Sequence, residues 1–76
     1  MMDASALLAL KNACNGAVAT SDRVRDLSQE VGAISDAAAV TDSDLDTFHQ
    51  VALAHANAAN ALRGLIEEIR RKAATS

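Results

Sequence analysis

Apolar residues in the second half of the chain recur at alternating intervals of three and four. This spacing is the a/d pattern of a coiled-coil seam, in which one apolar stripe runs along a single helix face. Proline, which would interrupt such a helix, is absent from all 76 residues. The stripe consists of Leu45, Phe48, Ala52, His55, Ala59, Leu62, Ile66 and Ile69, widened by Val51, Ala58 and Leu65. The pattern predicts one long amphipathic helix.

The start of this helix is indicated by the segment 40–45. Thr41 suits the N-cap position, and Asp44, three residues later, is a shorter version of the capping-box acid. Val40 and Leu45 occupy the positions of a hydrophobic staple. Acidic residues then fall at the positive end of the helix dipole and basic residues near position 72 at its negative end. We expect the helix to run from about residue 42 to about residue 73.

The first half of the chain has a less regular apolar pattern. One stripe contains Leu7, Leu10, Cys14 and Ala17, and a second, slightly rotated, contains Val24, Leu27, Val31, Ile34 and Ala38. One interpretation is a single long helix, continuous or kinked near Gly16, whose stripe drifts around the axis. The other is a break, with Asn15-Gly16 ending one helix and Thr20 or Ser21 capping the next.

The link between the two halves is short, so the helices are predicted to be antiparallel neighbours. The predicted fold is all-α: a single domain, 1–76, that forms an antiparallel helical hairpin. Its first helix covers about residues 4–36, its turn about 37–41 and its second helix about 42–73.

The apolar content is too thin for a large core. Half of the residues are hydrophobic, but many are alanine, and Phe48 is the only aromatic residue. A chain below ~80 residues gains no more than ~3–5 kcal/mol from its own core. We therefore expect the hairpin to associate into a helical bundle with itself or with a partner. Cys14, the only cysteine, is predicted to be a small buried hydrophobe in a reducing compartment.

Candidate catalytic and metal sites fail on their spacing. Asp42, Asp44 and Asp46 open like a calcium loop, but Thr47 stands where the loop needs Gly and Leu53 where it needs Glu. The two histidines are six residues apart and cannot hold one metal ion from a helix face. A histidine on an apolar stripe, such as His55, is typically a hydrogen-bonded core or interface residue. We expect no enzyme activity, cofactor or metal.

The net charge of −3 disfavours nonspecific binding to nucleic acid. The start of the chain, Met1-Met2-Asp3, lacks the basic region of a signal peptide, and no apolar run approaches the ~20 residues of a membrane span. A cytoplasmic location is expected, and export without a cleavable signal stays open.

The function predicted from these features is protein–protein interaction, as an adaptor, chaperone or inhibitor acting through an apolar helix face. The partner is a second copy, another protein, or both. One alternative is a structural subunit that stacks into a filament or shell; the chain resembles small secretion-apparatus hairpins in size and shape but lacks their proline-bearing turn. The other is a Rop-like hairpin dimer that holds RNA. The predicted interface residues are Val24, Leu27, Val31, Leu45, Phe48, His55, Leu62, Leu65, Ile66 and Ile69.

Overall fold

A computed structural model describes residues 2–75 of the chain. Helix α1 spans Ala4–Gly32, a 3-10 turn spans Ala37–Ala39, and helix α2 spans Asp42–Thr75. The two helices pack against each other, and residues 2–75 contain no strand. The predicted all-α hairpin is therefore confirmed.

Helix α1 begins at a capped N-terminus and continues without interruption. The carboxylate of Asp3 accepts a hydrogen bond from the backbone N–H of Ala6 at 2.7 Å, which satisfies one of the free N–H groups of the first turn. The helix then passes through Asn15 and Gly16. The alternative of two shorter helices is therefore wrong: a glycine in a helix interior costs only about 1 kcal/mol relative to alanine, too little to end a helix that packs along its length.

Helix α1 ends at Gly32, four residues before the predicted boundary near residue 36. The last turn tightens, because the N–H of Ile34 donates to the carbonyl of Val31 at 3.1 Å. Asp36 then accepts from the N–H of Ala38 at 3.0 Å and caps the 3-10 turn. An aspartate whose carboxylate accepts from the backbone N–H two residues later favours a turn over continued helix. This hydrogen bond competes with helix formation, and α1 ends early.

Helix α2 starts where the sequence predicts, at a reciprocal capping box. The hydroxyl of Thr41 accepts from the N–H of Asp44 at 3.1 Å, and the carboxylate of Asp44 accepts from the N–H of Thr41 at 3.0 Å. Aspartate thus performs the role that glutamate usually takes at this position. The helix extends to Thr75, two residues beyond the predicted end.

The two helices meet along a seam with strict heptad spacing. Its members are half-buried: Ala6, Leu10, Ala13, Ala17, Thr20, Val24 and Leu27 in α1, and Phe48, Val51, His55, Ala58, Leu62, Leu65 and Ile69 in α2. No residue within 2–74 is fully buried, because a pair of helices covers only one face of each. The hairpin is a rod of 58 × 16 × 14 Å.

The register of the seam is fixed by a polar pair near its middle. The hydroxyl of Thr20 lies 2.9 Å from Nδ1 of His55 and also reaches the carbonyl of Ala17 at 3.1 Å. Counting outward from this pair, in opposite directions along the antiparallel helices, places every seam residue of α1 opposite one of α2. Leu27 thus falls opposite Phe48, and Leu10 opposite Leu65. The expectation that His55 is hydrogen-bonded on the apolar stripe is confirmed.

Candidate functional site

The candidate site is one long side of the hairpin. In an antiparallel pair of heptad helices, the e positions of both helices lie on one side of the seam and the g positions on the other. The d positions of the seam are Ala6, Ala13, Thr20 and Leu27 in α1 and Val51, Ala58 and Leu65 in α2, and the other seam residues are a positions. An e position directly follows each d position, and a g position directly precedes each a position. We call the apolar e residues the apolar flank: Leu7 and Cys14 from α1, and Leu45, Ala52, Ala59 and Ile66 from α2. Ser21 and Ser28 complete the side.

The apolar flank is open to solvent. Leu45 is 54% exposed, and Leu7 and Ile66 are each 41% exposed. The three smaller members, Cys14, Ala52 and Ala59, are exposed as well. The large side chains therefore lie toward the two ends of the rod, and the small ones lie in the middle.

The opposite side, formed by the g positions, is different in chemistry. We call it the polar flank: Ala9, Gly16, Arg23 and Glu30 from α1, and Thr47, Ala54, Ala61 and Glu68 from α2. It contains three charged side chains and no large aliphatic one. Glu68 pairs with Lys72 at 3.2 Å, as a favourable i,i+4 pair. Both flanks border the same seam, yet only one of them is apolar.

The predicted interface residues divide into two groups in the structure. Seven lie half-buried in the seam between α1 and α2, and three are exposed on the outside of the hairpin. The seam group is Val24, Leu27, Phe48, His55, Leu62, Leu65 and Ile69. The exposed group is Val31, Leu45 and Ile66. The exposed group offers the larger accessible surface to another chain while the hairpin stays closed, and contact with a partner remains a prediction for all ten.

The sequence pattern placed several flank residues incorrectly. On α2, the expected seam included Leu45, Ala52, Ala59 and Ile66, but these residues lie beside it, and the seam passes through Val51, Ala58 and Leu65, which were expected only to widen it. Leu7 was expected on the seam of α1 and is exposed as well. Cys14 was expected to be buried, and it is exposed. The seam of α1 passes through Ala13 and Ala17, which leaves the cysteine beside it. The sequence does contain this register: the heptad spacing of Val24 and Leu27, continued back toward the N-terminus, passes through Thr20, Ala17 and Ala13 and not through Cys14.

Charge is distributed unevenly along the rod. Residues 21–54, the half that contains the turn, carry seven of the ten acidic side chains and two of the seven basic ones. The rest of the sequence carries three acidic and five basic side chains, all of them within the described residues of the open half. The turn half is therefore strongly negative and the open half is positive, and the apolar flank runs across both.

The hairpin exposes more surface than a compact chain of its size. Its accessible surface is 5757 Å², whereas a folded monomer of 7.9 kDa is expected to expose about 4,400 Å². Its radius of gyration is 17.3 Å, against about 11 Å for a compact domain of this length. The excess surface lies along a rod that is only two helices wide.

Within residues 2–75, no group of three or more His, Cys, Asp or Glu side chains is placed to hold a metal ion. No helix among these residues is long and apolar enough to cross a membrane. Two grooves lie at the ends of the rod, and both are shallow and open to solvent.

Comparison of the chain with protein-family models, with curated proteins and with solved structures gives no significant match.

Proposed function

We propose that this chain is a small, non-enzymatic protein-interaction module that binds through the apolar flank. The observation that carries the proposal is the contrast between the two flanks. Three large aliphatic side chains stand exposed on one side of the seam and none on the other, although hairpin formation requires neither arrangement.

Burial of the apolar flank supplies the binding energy in this proposal. Apolar surface removed from water stabilises by about 25 cal/mol per Å². Leu7 and Ile66 at the open end, with Leu45 near the turn, act as anchors for a helix laid along the flank. The alanines between them let the backbone of that helix approach closely. This is recognition of an amphipathic helix by a helical surface.

The experiment that tests the proposal compares Ile66→Lys with Leu53→Lys. The two aliphatic side chains are 41% and 44% exposed, and both lie in α2, but Leu53 points away from both flanks at an outer position. Each change adds the same charge. Tagged wild-type and variant chains are used to capture binding proteins, and helix content is measured by circular dichroism.

We expect the specifically captured protein, whether another copy or a different chain, to be lost with Ile66→Lys and retained with Leu53→Lys. Equal capture by both variants would contradict the proposal. Binding of RNA that is unaffected by Ile66→Lys and weakens with salt would contradict it too, and would favour the Rop-like alternative.

A further inference from the structure

We infer that the partner covering the apolar flank is a second copy of the same chain, packed side by side in the antiparallel orientation. The product is a closed, two-fold symmetric four-helix bundle. This inference rests on the proposed function of the flank and adds the identity of the occupant. Three features of the hairpin support it: the spacing of the flank residues, the distribution of charge and the exposed area.

The flank residues of α2 are self-complementary about one point. Leu45 and Ile66 are equally far from the midpoint between residues 55 and 56, and so are Ala52 and Ala59. A two-fold axis at this height, perpendicular to the helices, brings Leu45 of one copy level with Ile66 of the other. It also brings Ala52 level with Ala59. Large side chains then meet near both ends of the bundle, and small ones meet in the middle.

The first helix follows the same axis to within two residues, since its flank positions are centred between residues 17 and 18 and the axis lies level with the midpoint of residues 19 and 20. In the seam register, Leu7 lies close in height to Ile66. Leu7 and Ile66 of one copy therefore form one apolar cluster with Leu45 of the other copy. The layer of Thr20 and His55 lies next to the axis. The two copies therefore approach each other most closely where each hairpin is built from small flank residues, as in bundles with close helix axes.

Charge selects the antiparallel orientation over the parallel one. An antiparallel pair places the negative turn half of each copy beside the positive open half of the other. A parallel pair would align the two turn halves, each with seven acidic and two basic side chains. Like charges side by side disfavour that arrangement, and complementary potentials favour the antiparallel one.

The exposed area is sufficient for a stable interface. The hairpin exposes about 1,300 Å² more than a compact monomer of its mass, and a standard protein interface buries about 800 Å² on each partner. An interface of that standard size would remove about 800 of these roughly 1,300 Å² from each copy. The polar flanks face outward in the bundle, which suits their charged side chains.

The test combines mass with orientation. The mass of the wild-type chain is measured by light scattering from about 1 to 200 μM, a range that spans micromolar dissociation constants. For orientation, single cysteines replace Ala38 at the turn or Ala73 at the open end, in a chain whose Cys14 is changed to alanine, which keeps a small apolar residue on the flank. The variants are treated with a short bismaleimide, alone and mixed, after circular dichroism has shown wild-type helix content.

We expect a mass of twice the chain and cross-linked dimers in the mixture of Ala38→Cys with Ala73→Cys. Each variant alone should give none, because two identical positions then lie about 50 Å apart at a rise of 1.5 Å per residue. Cross-links between identical positions would overturn the antiparallel orientation. A mass that keeps growing with concentration would overturn the closed dimer in favour of head-to-tail assembly.

A chain that remains a monomer throughout this range, without cross-links, would also overturn the inference. The proposed function is separate from that outcome. It survives if a different protein is captured and lost with Ile66→Lys, and it fails as well if no binding depends on Ile66.

Discussion

The two flanks of the hairpin share one seam but expose different chemistry. On the apolar flank the residues beside the seam are leucine, isoleucine, alanine and cysteine, with two serines. On the polar flank the equivalent positions hold arginine, glutamate, threonine and small residues. Because α1 and α2 contribute equally to both sides, the difference does not arise from one helix being more hydrophobic than the other.

The seam holds the hairpin together, whereas the two flanks are surfaces that the hairpin exposes. The contacts between α1 and α2 are made by the seam, and polar residues at the flank positions would leave those contacts in place. Exposed aliphatic side chains lower the solubility of a protein, and folding of the hairpin does not bury them. Three of them, Leu7, Leu45 and Ile66, lie on the apolar flank and none lies on the polar flank, and this asymmetry is the basis of the proposed contact outside the hairpin. The four predictions below test the contrast between the flanks, in order of decreasing effect.

The largest effect is expected from charging both ends of the apolar flank, by Leu45→Lys with Ile66→Lys. Each side chain loses the ~1.5–3 kcal/mol of burial that an interface provides. The unfolding free energy should fall by about 3 kcal/mol or more at concentrations where the wild type is associated. Its dependence on protein concentration should disappear. Chemical denaturation at two concentrations measures both quantities.

The matched control charges two aliphatic residues on the outer faces, by Leu8→Lys with Leu53→Lys. These side chains are 60% and 44% exposed and belong to neither flank. Their loss should change stability by no more than ~0.5 kcal/mol. An equal loss in the two double variants would remove the distinction on which the proposed function depends.

The second prediction enlarges an alanine on each flank. Ala59→Leu, on the apolar flank, should destabilise the inferred dimer by about 1–3 kcal/mol, because that dimer has its closest approach at the middle of the flank. Ala61→Leu, on the polar flank two residues away, should be neutral within ~0.5 kcal/mol. Thermal unfolding of both variants provides the comparison. Two neutral results would mean that nothing packs on the middle of the flank.

The third prediction concerns the seam, which both flanks share. Thr20→Val removes the hydroxyl that lies 2.9 Å from Nδ1 of His55 and should cost about 0.5–1.5 kcal/mol. Thr47→Val is the control, since its hydroxyl bonds only the carbonyl of Ser43 on an exposed surface in the observed contacts. The Thr20 effect should add to that of Ile66→Lys, because distant sites behave independently. A strongly non-additive pair would show that flank and seam are not separate.

The smallest effect is expected from salt. Exposed ion pairs contribute about 0.2–1 kcal/mol each and are screened within ~10 Å at ordinary ionic strength. Raising sodium chloride from 0.05 to 0.5 M should therefore weaken association only a few-fold. Replacing Arg70 and Arg71 by glutamine should abolish that salt dependence and leave the contrast between the flanks intact. Sedimentation at both ionic strengths measures the change.

The fold was predictable because the signals for it are local. The capping box at Thr41 and the heptad of α2 each depend on residues only a few positions apart, so both can be recognised from the sequence alone. The early end of α1 was not predicted, because it depends on Asp36 bonding the backbone of Ala38, which competes with a good helical sequence.

The site was less predictable for a different reason. In α2, adjacent stripes of apolar residues both fit heptad spacing, one through Val51, Ala58 and Leu65 and the other through Ala52, Ala59 and Ile66. Only the packing of α1 decides which stripe becomes the seam. The stripe that was left outside is the apolar flank, so the residues of greatest functional interest were the ones for which sequence periodicity was ambiguous.

The central claim is that the apolar flank, and not the polar flank, binds a second copy of the chain. Sedimentation equilibrium of Ala59→Glu and Ala61→Glu tests it most directly, because the two variants gain the same charge on exposed alanines two residues apart. We predict a dimeric mass for the wild type and for Ala61→Glu, and a monomeric mass for Ala59→Glu. Identical masses for the two variants, whether monomeric or dimeric, would contradict the account.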